Sequence, residues 1–414
     1  MKGKLIIIIF ILLIAVVGLI NRPDTDSKEG THEADLITNQ EKDYIVYPAP
    51  EVVMEGLGQI WAIDFIPDTT IILATENSGK LFLIDSETKE VSEVFGVPTV
   101  DSRGQGGLLD IAISPNFAND MNIYFTYSAA GIDDPVSSSS PETTTHLAKA
   151  NLDIDSLVLR DLEVLYIAKP FKNSTSHYGS RVVIDDNYIF MTIGDRGDKN
   201  FSNHVSQDTT NVLGTTIRLN RDGSIPDENP FVNNDSILDE IYSFGHRNSQ
   251  GMAINPITKE LWQSEHGEFD GDEINVIKPG GNYGWPLTHT GCGYITKRPI
   301  GELPWERDDI IDPVHYWECG TGGFPPSGMV FYDSEGFTDW HGDLFVGGLA
   351  SRYLAHFEVV ENSLIEKDPL LKDEGWRIRD VAVGQHDDAI YVAVEGAGGS
   401  IIRIVPTRKY SDDL

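Results

Sequence analysis

One short pattern recurs six times along this chain of 414 residues, and it limits what the chain can fold into. The copies are AIDFIPDTTIILATENS from Ala62, DIAISPNFANDMNIYFTYS from Asp110 and RVVIDDNYIFMTIGDRG from Arg181. GMAINPITKELWQSEHG follows from Gly251, GMVFYDSEGFTDWHGDLFVGG from Gly328 and DVAVGQHDDAIYVAVEG from Asp380. Each reads as a short alternating apolar strand, a turn rich in Pro, Asp, Asn or Gly, and a second apolar strand. Alternation bounded by turn residues marks half-buried antiparallel strands. The copies begin roughly 50 to 80 residues apart, which leaves room for a four-stranded blade and its loops. A blade cannot bury both faces alone, so it must stack on its neighbours around an axis. The predicted fold is therefore all-β: one six-bladed β-propeller of four-stranded antiparallel blades over residues 46–408. A two-sheet sandwich would not need six copies of one unit. The second strand of every copy should end at the same end of the axis, bringing Glu76, Asp195, Glu265, His266 and Glu395 around one central pocket.

The flanks are unlike the repeats. Lys2 and Lys4 precede an apolar run from Leu5 to Ile20, which fits a secretory signal or an N-terminal membrane anchor over residues 1–20. Residues 21–45 are polar and aperiodic and read as a linker; residues 409–414 read as a tail. The body is expected outside the cytoplasm, periplasmic or secreted, with a possible membrane tether through residues 5–20. The only cysteines, Cys292 and Cys319, fall in that exported part, where a disulfide is favoured over two free thiols.

Charge and motifs narrow the chemistry. A formal net charge of −34 repels phosphate backbones, so nucleic acid is not an expected partner. An anionic ligand would need a local basic pocket against that field. The chain has no dinucleotide turn, phosphate loop, nucleophile elbow or H-E-x-x-H. GQGGLL at Gly104 leads into a strand rather than a helix, which speaks against a bound nicotinamide. What remains are five clusters: RGQGGLLDIAISPNF from Arg103, HYGSRVVIDDNYIFMTIGDRG from His177, GHRNSQGMAINP from Gly245, QSEHGEFDGDEINVIKPGGNYGWP from Gln263 and WRIRDVAV from Trp376.

In this order the clusters resemble the soluble pyrroloquinoline quinone (PQQ)-dependent sugar dehydrogenases, the glucose/sorbosone and aldose sugar dehydrogenase family. The resemblance runs from about Gly56 to Ile404 and implies a six-bladed propeller that oxidises an aldose at C1. His177 matches the general base, and an imidazole has a suitable pKa for that task. Asp195 in IGDRG matches the carboxylate that orients it. Arg247 and Asn248 in GHRN match cofactor-contacting residues; an arginine beside a quinone carbonyl favours the charge that develops there. Arg377 and Arg379 form an R-x-R pair on one face of a strand and match the residues that bind the cofactor's carboxylates.

Calcium is the implied metal, held by the backbone carbonyls of Gly267 and Glu268 with hard oxygen ligands. Glucose-specific members tend to have proline where this chain has Glu268. A carboxylate there would favour a cation, and Asp272 and Glu273 could order water around it. Gln105 matches a glutamine that hydrogen-bonds the sugar. Ser176 stands where the glucose-specific members tend to carry an acid, so sugar preference does not transfer. A cofactor-holding lysine of some members has no clear counterpart, Arg352 being the nearest cation. The loops between Thr288 and Pro326, with Trp305 and Trp317, are expected to wall the sugar pocket or to be core.

The implied activity needs an electron acceptor that the sequence does not identify. Two other readings fit a six-bladed propeller: a non-catalytic sugar- or protein-binding module, and a calcium-dependent lactonase. The lactonase would require metal-ligating side chains converging on the axis.

Overall fold

The computed structural model describes residues 44–131, 141–396 and 398–410; the predicted signal or anchor over residues 1–20 lies outside them. The repeats fold into six antiparallel sheets, and every repeat supplies the first two strands of one sheet. Blade 1 is built from Ile60–Phe65, Ile71–Glu76, Lys80–Asp85 and Val91–Val94. Blade 2 comprises Leu108–Ile113, Asn122–Ala130, Thr143–Asp153 and Val158–Ile167. Blade 3 has Gly179–Ile184, Tyr188–Ile193, Thr215–Asn220 and Ile241–Phe244, and gains a short fifth strand, Gly281–Asn282, paired in parallel at Ser243↔Gly281. Blade 4 holds Ser249–Ile254, Leu261–Glu265, Glu273–Ile277 and His315–Tyr316. Blade 5 holds Pro326–Phe331, Leu344–Gly348, Leu354–Val360 and Ser363–Glu366.

Blade 6 closes the ring. Its inner strands, Arg377–Gly384, Ala389–Glu395 and Gly399–Tyr410, take their fourth partner from Tyr44–Leu57, at the other end of the described chain. The register runs from Tyr44↔Tyr410 to Leu57↔Gly399, so the strands extend two residues beyond each of the predicted limits, 46 and 408. Among the described residues the single α-helix has four residues, and no helix is long and apolar enough to cross a membrane.

Burial explains the stacking. The buried apolar residues form six clusters, one between each pair of adjacent blades. Burial of apolar surface at about 25 cal/mol per Å² makes these interfaces the main source of stability. Polar latches repeat over them. Thr75 Oγ1 donates to the Leu109 carbonyl at 2.5 Å, Thr126 Oγ1 to Ser180 at 2.7 Å and Thr192 Oγ1 to Ser249 at 3.2 Å, each reaching the next blade. Each hydroxyl also accepts the amide of the opposite residue, Ala62, Asp110 or Arg181, across a bulge in the first strand.

Three charged side chains plug the axis below the pocket end. Arg181 Nη1 lies 2.8 Å from Asp110 Oδ1 and 2.9 Å from Asp380 Oδ1, and its Nε–H donates to the Gln250 carbonyl at 2.9 Å. All three are buried, and the guanidinium lies 4.6 Å from the Trp61 ring centroid. Asp110, Arg181 and Asp380 are the first residues of three repeat copies. At the same repeat position Ala62, Gly251 and Gly328 leave space, and a Cβ on Gly328 would sit 1.8 Å from Asp380 Oδ1.

Candidate active site

At the end of the axis where the second strands finish, a cavity of about 180 Å³ opens. Its walls include Gln105, Asn248, Gln250, His266, Arg377, Arg379 and Glu395, with Trp61 and Tyr178 supplying aromatic surface. Four of the residues assigned from sequence, or from the strand ends, therefore meet at one place with the arginine pair: Gln105, Asn248, His266 and Glu395. Glu76 does not join them: its carboxylate accepts from the Gly58 amide at 3.1 Å. Glu265 lies behind the wall and holds the Arg247 amide at 2.7 Å and His246 Nδ1 at 2.9 Å.

His177 lies between cavity-lining Gln105 on one side and Tyr178 and Gly179 on the other, with 14% of its side chain exposed. Its Nδ1 is 2.6 Å from Asp195 Oδ1. A carboxylate only accepts, so the Nδ1 proton points at Asp195 and Nε2 carries the lone pair. The Gln105 side-chain oxygen accepts the His177 amide at 2.7 Å, so it fixes the base's backbone as well as lining the cavity. Asp195 is buried and fully engaged: the Gly197 amide reaches Oδ1 at 2.8 Å and the Trp285 indole N–H reaches Oδ2 at 3.0 Å. Burial pushes this carboxyl upward, but the bond from His177, helped by the Arg247 charge and the Gly197 amide, outweighs it and leaves the pKa lowered. The packing tolerates no side chain at Gly194, where a Cβ would lie 2.2 Å from the His177 carbonyl.

Arg247 lies buried on the blade 3–4 side. Its Nη1 donates to the His266 carbonyl at 3.2 Å and its Nη2 to Glu268 Oε2 at 2.7 Å. Lys199, from the loop after the second strand of blade 3, also bonds Glu268, at 2.6 Å. Burial raises the Glu268 carboxyl, yet Lys199 and Arg247 together hold it below its usual value. The sequence expectation that Glu268 would add negative charge for a cation is thus corrected: its charge is spent on two cations. Lys199 was missed because its partner is 69 residues away. Arg352, the nearest lysine substitute by sequence, is exposed and bonds the Gly375 carbonyl at 3.3 Å.

The arginine pair behaves as its spacing predicts. Arg377 and Arg379 both bond Glu395 on the adjacent strand, Arg379 at 3.1 Å, and Arg379 also donates to Gln250 Oε1 at 3.1 Å. Burial raises the Glu395 carboxyl, and the Arg379 and Arg377 charges more than reverse that. Burial lowers the Arg379 pKa. The Nε–H groups of Arg379 and Arg247 are buried with no acceptor among the described residues. Buried donors without partners are rare, and the one on cavity-lining Arg379 fits an anionic ligand that supplies the acceptor.

Asn248 faces the same cavity and ties blade 3 to blade 4, its Oδ1 accepting from the Gly179 amide at 3.2 Å and the Gln250 side chain at 3.3 Å. The Gly267 amide is bonded to Asp272 Oδ1 at 3.0 Å, the Glu268 amide to His289 Nε2 at 3.1 Å and the Phe269 amide to the Cys292 carbonyl at 3.0 Å. Across a trans peptide the carbonyl points opposite the N–H, so the Gly267 and Glu268 oxygens face away from those acceptors. Two successive hard donors suit calcium. Asp272 instead braces the loop, its Oδ2 accepting the Phe324 amide at 2.8 Å.

The disulfide Cys292–Cys319 staples the long excursion of blade 4, with Cα atoms 5.5 Å apart. Trp317 stacks on Phe324 at 4.7 Å in the core, and Trp305 is half exposed against Tyr316. Neither lines the cavity; Trp61 and Trp285 are the tryptophans near the chemistry. Among the described residues one group of acidic and histidine side chains has metal-like spacing, Glu87, His386 and Asp387. It lies in turns at the opposite end of the blades, and Arg403 already bonds both carboxylates. Among the described residues the cavity carries paired arginines and no group of side chains with metal-like spacing.

A propeller with an oriented imidazole and arginines at an axial cavity suits proton transfer beside an anionic ligand. The family comparison is specific: residues 57–403 match the Glucose / Sorbosone dehydrogenase family model. The chain belongs to that family, a family of sugar dehydrogenases. It is 34% identical over 361 residues to the aldose sugar dehydrogenase YliI of Escherichia coli, covering 86% of this chain and 92% of the relative. It is 34% identical over 254 residues to quinoprotein glucose dehydrogenase B of Acinetobacter calcoaceticus, covering 57% of this chain and 52% of the relative. The crystal structure of the soluble aldose sugar dehydrogenase from Escherichia coli in its apo-form superimposes with a TM-score of 0.78 at 33% identity, over 87% of this chain and 100% of that one.

Proposed function

We propose that this protein is a PQQ- and calcium-dependent dehydrogenase that oxidises the C1 hydroxyl of an aldose to the lactone. The observation that carries the reading is a single juxtaposition: His177, paired with Asp195, is held through its amide by Gln105 of the cavity wall, and the same cavity holds Arg379, whose Nε–H has no acceptor among the described residues. The names of the Escherichia coli and Acinetobacter relatives support both halves, sugar oxidation and a quinone.

In this reading His177 Nε2 takes the proton of the C1 hydroxyl, and Asp195 stabilises the imidazolium through Nδ1. Such a base contributes about 10²–10⁴-fold to rate. Arg377 and Arg379 would hold the cofactor's carboxylates, with Glu395 keeping the pair parallel, and Asn248 would line its edge. The Gly267 and Glu268 carbonyls would hold calcium. PQQ, when bound, supplies the hydride-accepting carbonyl, and Arg247 stands near enough to Asn248 and His266 to stabilise negative charge there. Gln105 positions the base and offers its amide edge to the sugar. Turnover requires an electron acceptor, and we place the enzyme outside the cytoplasm, periplasmic or secreted, with residues 5–20 as signal or tether.

The test is reconstitution. The full protein loaded with PQQ and calcium should reduce a dye with at least one aldose of a panel and release the corresponding lactone. Bound quinone with no turnover on any aldose would overturn the reading, and hydrolysis of lactones without quinone would favour the lactonase.

A further inference from the structure

Trp285 belongs to NYGWP, a segment the sequence reading used as a signature without giving its tryptophan a task. We propose that Trp285 is a positioning residue that couples the base, through its carboxylate, to the arginine across the site. The proposal rests on His177 being the base.

The indole is buried and held at both ends of its peptide: the Trp285 amide donates to the Gly245 carbonyl at 2.8 Å, and Gln207 Nε2 donates to the Trp285 carbonyl at 2.8 Å. Its Nε1–H donates to Asp195 Oδ2 at 3.0 Å, while Oδ1 of the same carboxylate takes the His177 proton at 2.6 Å. The Arg247 guanidinium lies 5.3 Å from the Trp285 ring centroid, within cation–π range. His204 and His289 meet the ring edge-on at 5.6 and 5.1 Å.

An indole N–H only donates. On Oδ2 it withdraws charge from the carboxylate, and so it limits how strongly Oδ1 can stabilise a protonated His177. Without it the carboxylate is a stronger acceptor, the imidazolium is better stabilised, and His177 holds its proton to higher pH. The same side chain steadies Arg247 through its π face, so a displacement of the indole moves both groups. The other charged or titratable groups facing the pair are Arg247, His204, His266, Arg196 and Asp198; His204 Nε2 lies 3.5 Å from the same Asp195 Oδ2, and Arg247 and His204 both touch the Trp285 ring.

The test uses cofactor-free full-length protein, so it does not depend on sugar turnover. With ¹⁵N-labelled indoles, the Trp285 N–H resonance of the unaltered protein should titrate with the same midpoint as the His177 ring. Trp285→Phe removes the donor and keeps a ring; the His177 midpoint should rise by about one pH unit. Trp285→Gln keeps an N–H donor and should leave the midpoint near the unaltered value. In the loaded enzyme, the acid limb of kcat/KM should move upward in Trp285→Phe by the same amount. An indole resonance that ignores His177 titration, or a folded Trp285→Phe protein with an unchanged His177 midpoint, overturns the proposal. Should Trp285→Phe fail to fold, the titration of the unaltered protein decides alone. Correct coupling in a protein that oxidises no aldose would sink the enzymatic reading and leave only the Trp285–Asp195–His177 coupling, without its part in catalysis.

Discussion

The junction between blades 1 and 2 and the junction between blades 3 and 4 occupy equivalent places in the ring and are built from different materials. The first buries 19 apolar residues in one cluster, from Trp61 to Tyr178. The second buries only six, Phe190, Tyr242, Met252, Leu261, Ile277 and Tyr283. In place of the missing apolar surface it holds polar side chains that satisfy one another: His246 with Glu265 at 2.9 Å, Thr216 with Gln263 at 2.7 Å, and Arg247 with Glu268 at 2.7 Å. A buried polar network costs stability wherever it is incomplete, and it fixes geometry wherever it is complete. The first junction holds its two blades together by apolar burial. The second gives up apolar burial to place charges where an anionic cofactor and a proton acceptor can meet.

The comparison can be broken by removing one buried side chain from each junction. Leu73→Ala in the first should cost about 3–5 kcal/mol, the upper part of the range for buried leucine, because the surrounding cluster is too dense to collapse. Met252→Ala in the second should cost nearer 2 kcal/mol, since a small cluster beside polar groups leaves less cavity behind. Activity should rank them the other way. Met252 lies two residues beyond Gln250, which holds both Arg379 and, through its carbonyl, Arg181. Leu73→Ala should therefore keep its turnover per folded molecule, and Met252→Ala should lose several-fold. Urea melts and dye assays on the two variants are the check; equal losses of activity would erase the distinction.

Acid sharpens the contrast further. Burial holds His266 and His289 down to about 3 and His315 to about 4, from an ordinary 6.5, and all three belong to blade 4 or its loops. The unfolded chain accepts these protons near pH 6.5, whereas the folded chain resists until far lower. Stability is thus fully present above about pH 6.5 and falls with acid, by about 1.4 kcal/mol per pH unit for each such histidine. His289→Gln, which keeps an acceptor for the Glu268 amide, should flatten the slope between pH 4 and 6 by that amount. Leu73→Ala should shift the whole curve without changing its slope.

How much of this could be read in advance follows the same divide. The six blades were legible because strand alternation and turn chemistry are local, and Arg377 with Arg379 because a two-residue spacing fixes a shared face. His177, Asp195, Arg247 and Asn248 were legible through the family resemblance. The Lys199–Glu268–Arg247 chain was not, since it joins three loops through side chains that carry no local signal. The axial plug could have been found: Asp110, Arg181 and Asp380 occupy one repeat position that should face the axis, and opposite charges there must meet. The carboxylates of Glu268 and Asp272 were expected to favour a cation because an acidic loop reads that way until its amide, lysine and guanidinium partners are seen.

The central claim is that His177 takes the C1 hydroxyl proton in a quinone- and calcium-loaded enzyme. The direct measurement is dye reduction by the loaded protein and its His177→Ala variant, with an aldose and its C1-deuterated form, after quinone binding has been verified in both. A deuterium effect is expected in the unaltered protein, and a loss of about 10²–10⁴-fold in kcat/KM in the variant at unchanged quinone occupancy. A His177→Ala protein that holds quinone and turns over at the unaltered rate would contradict it.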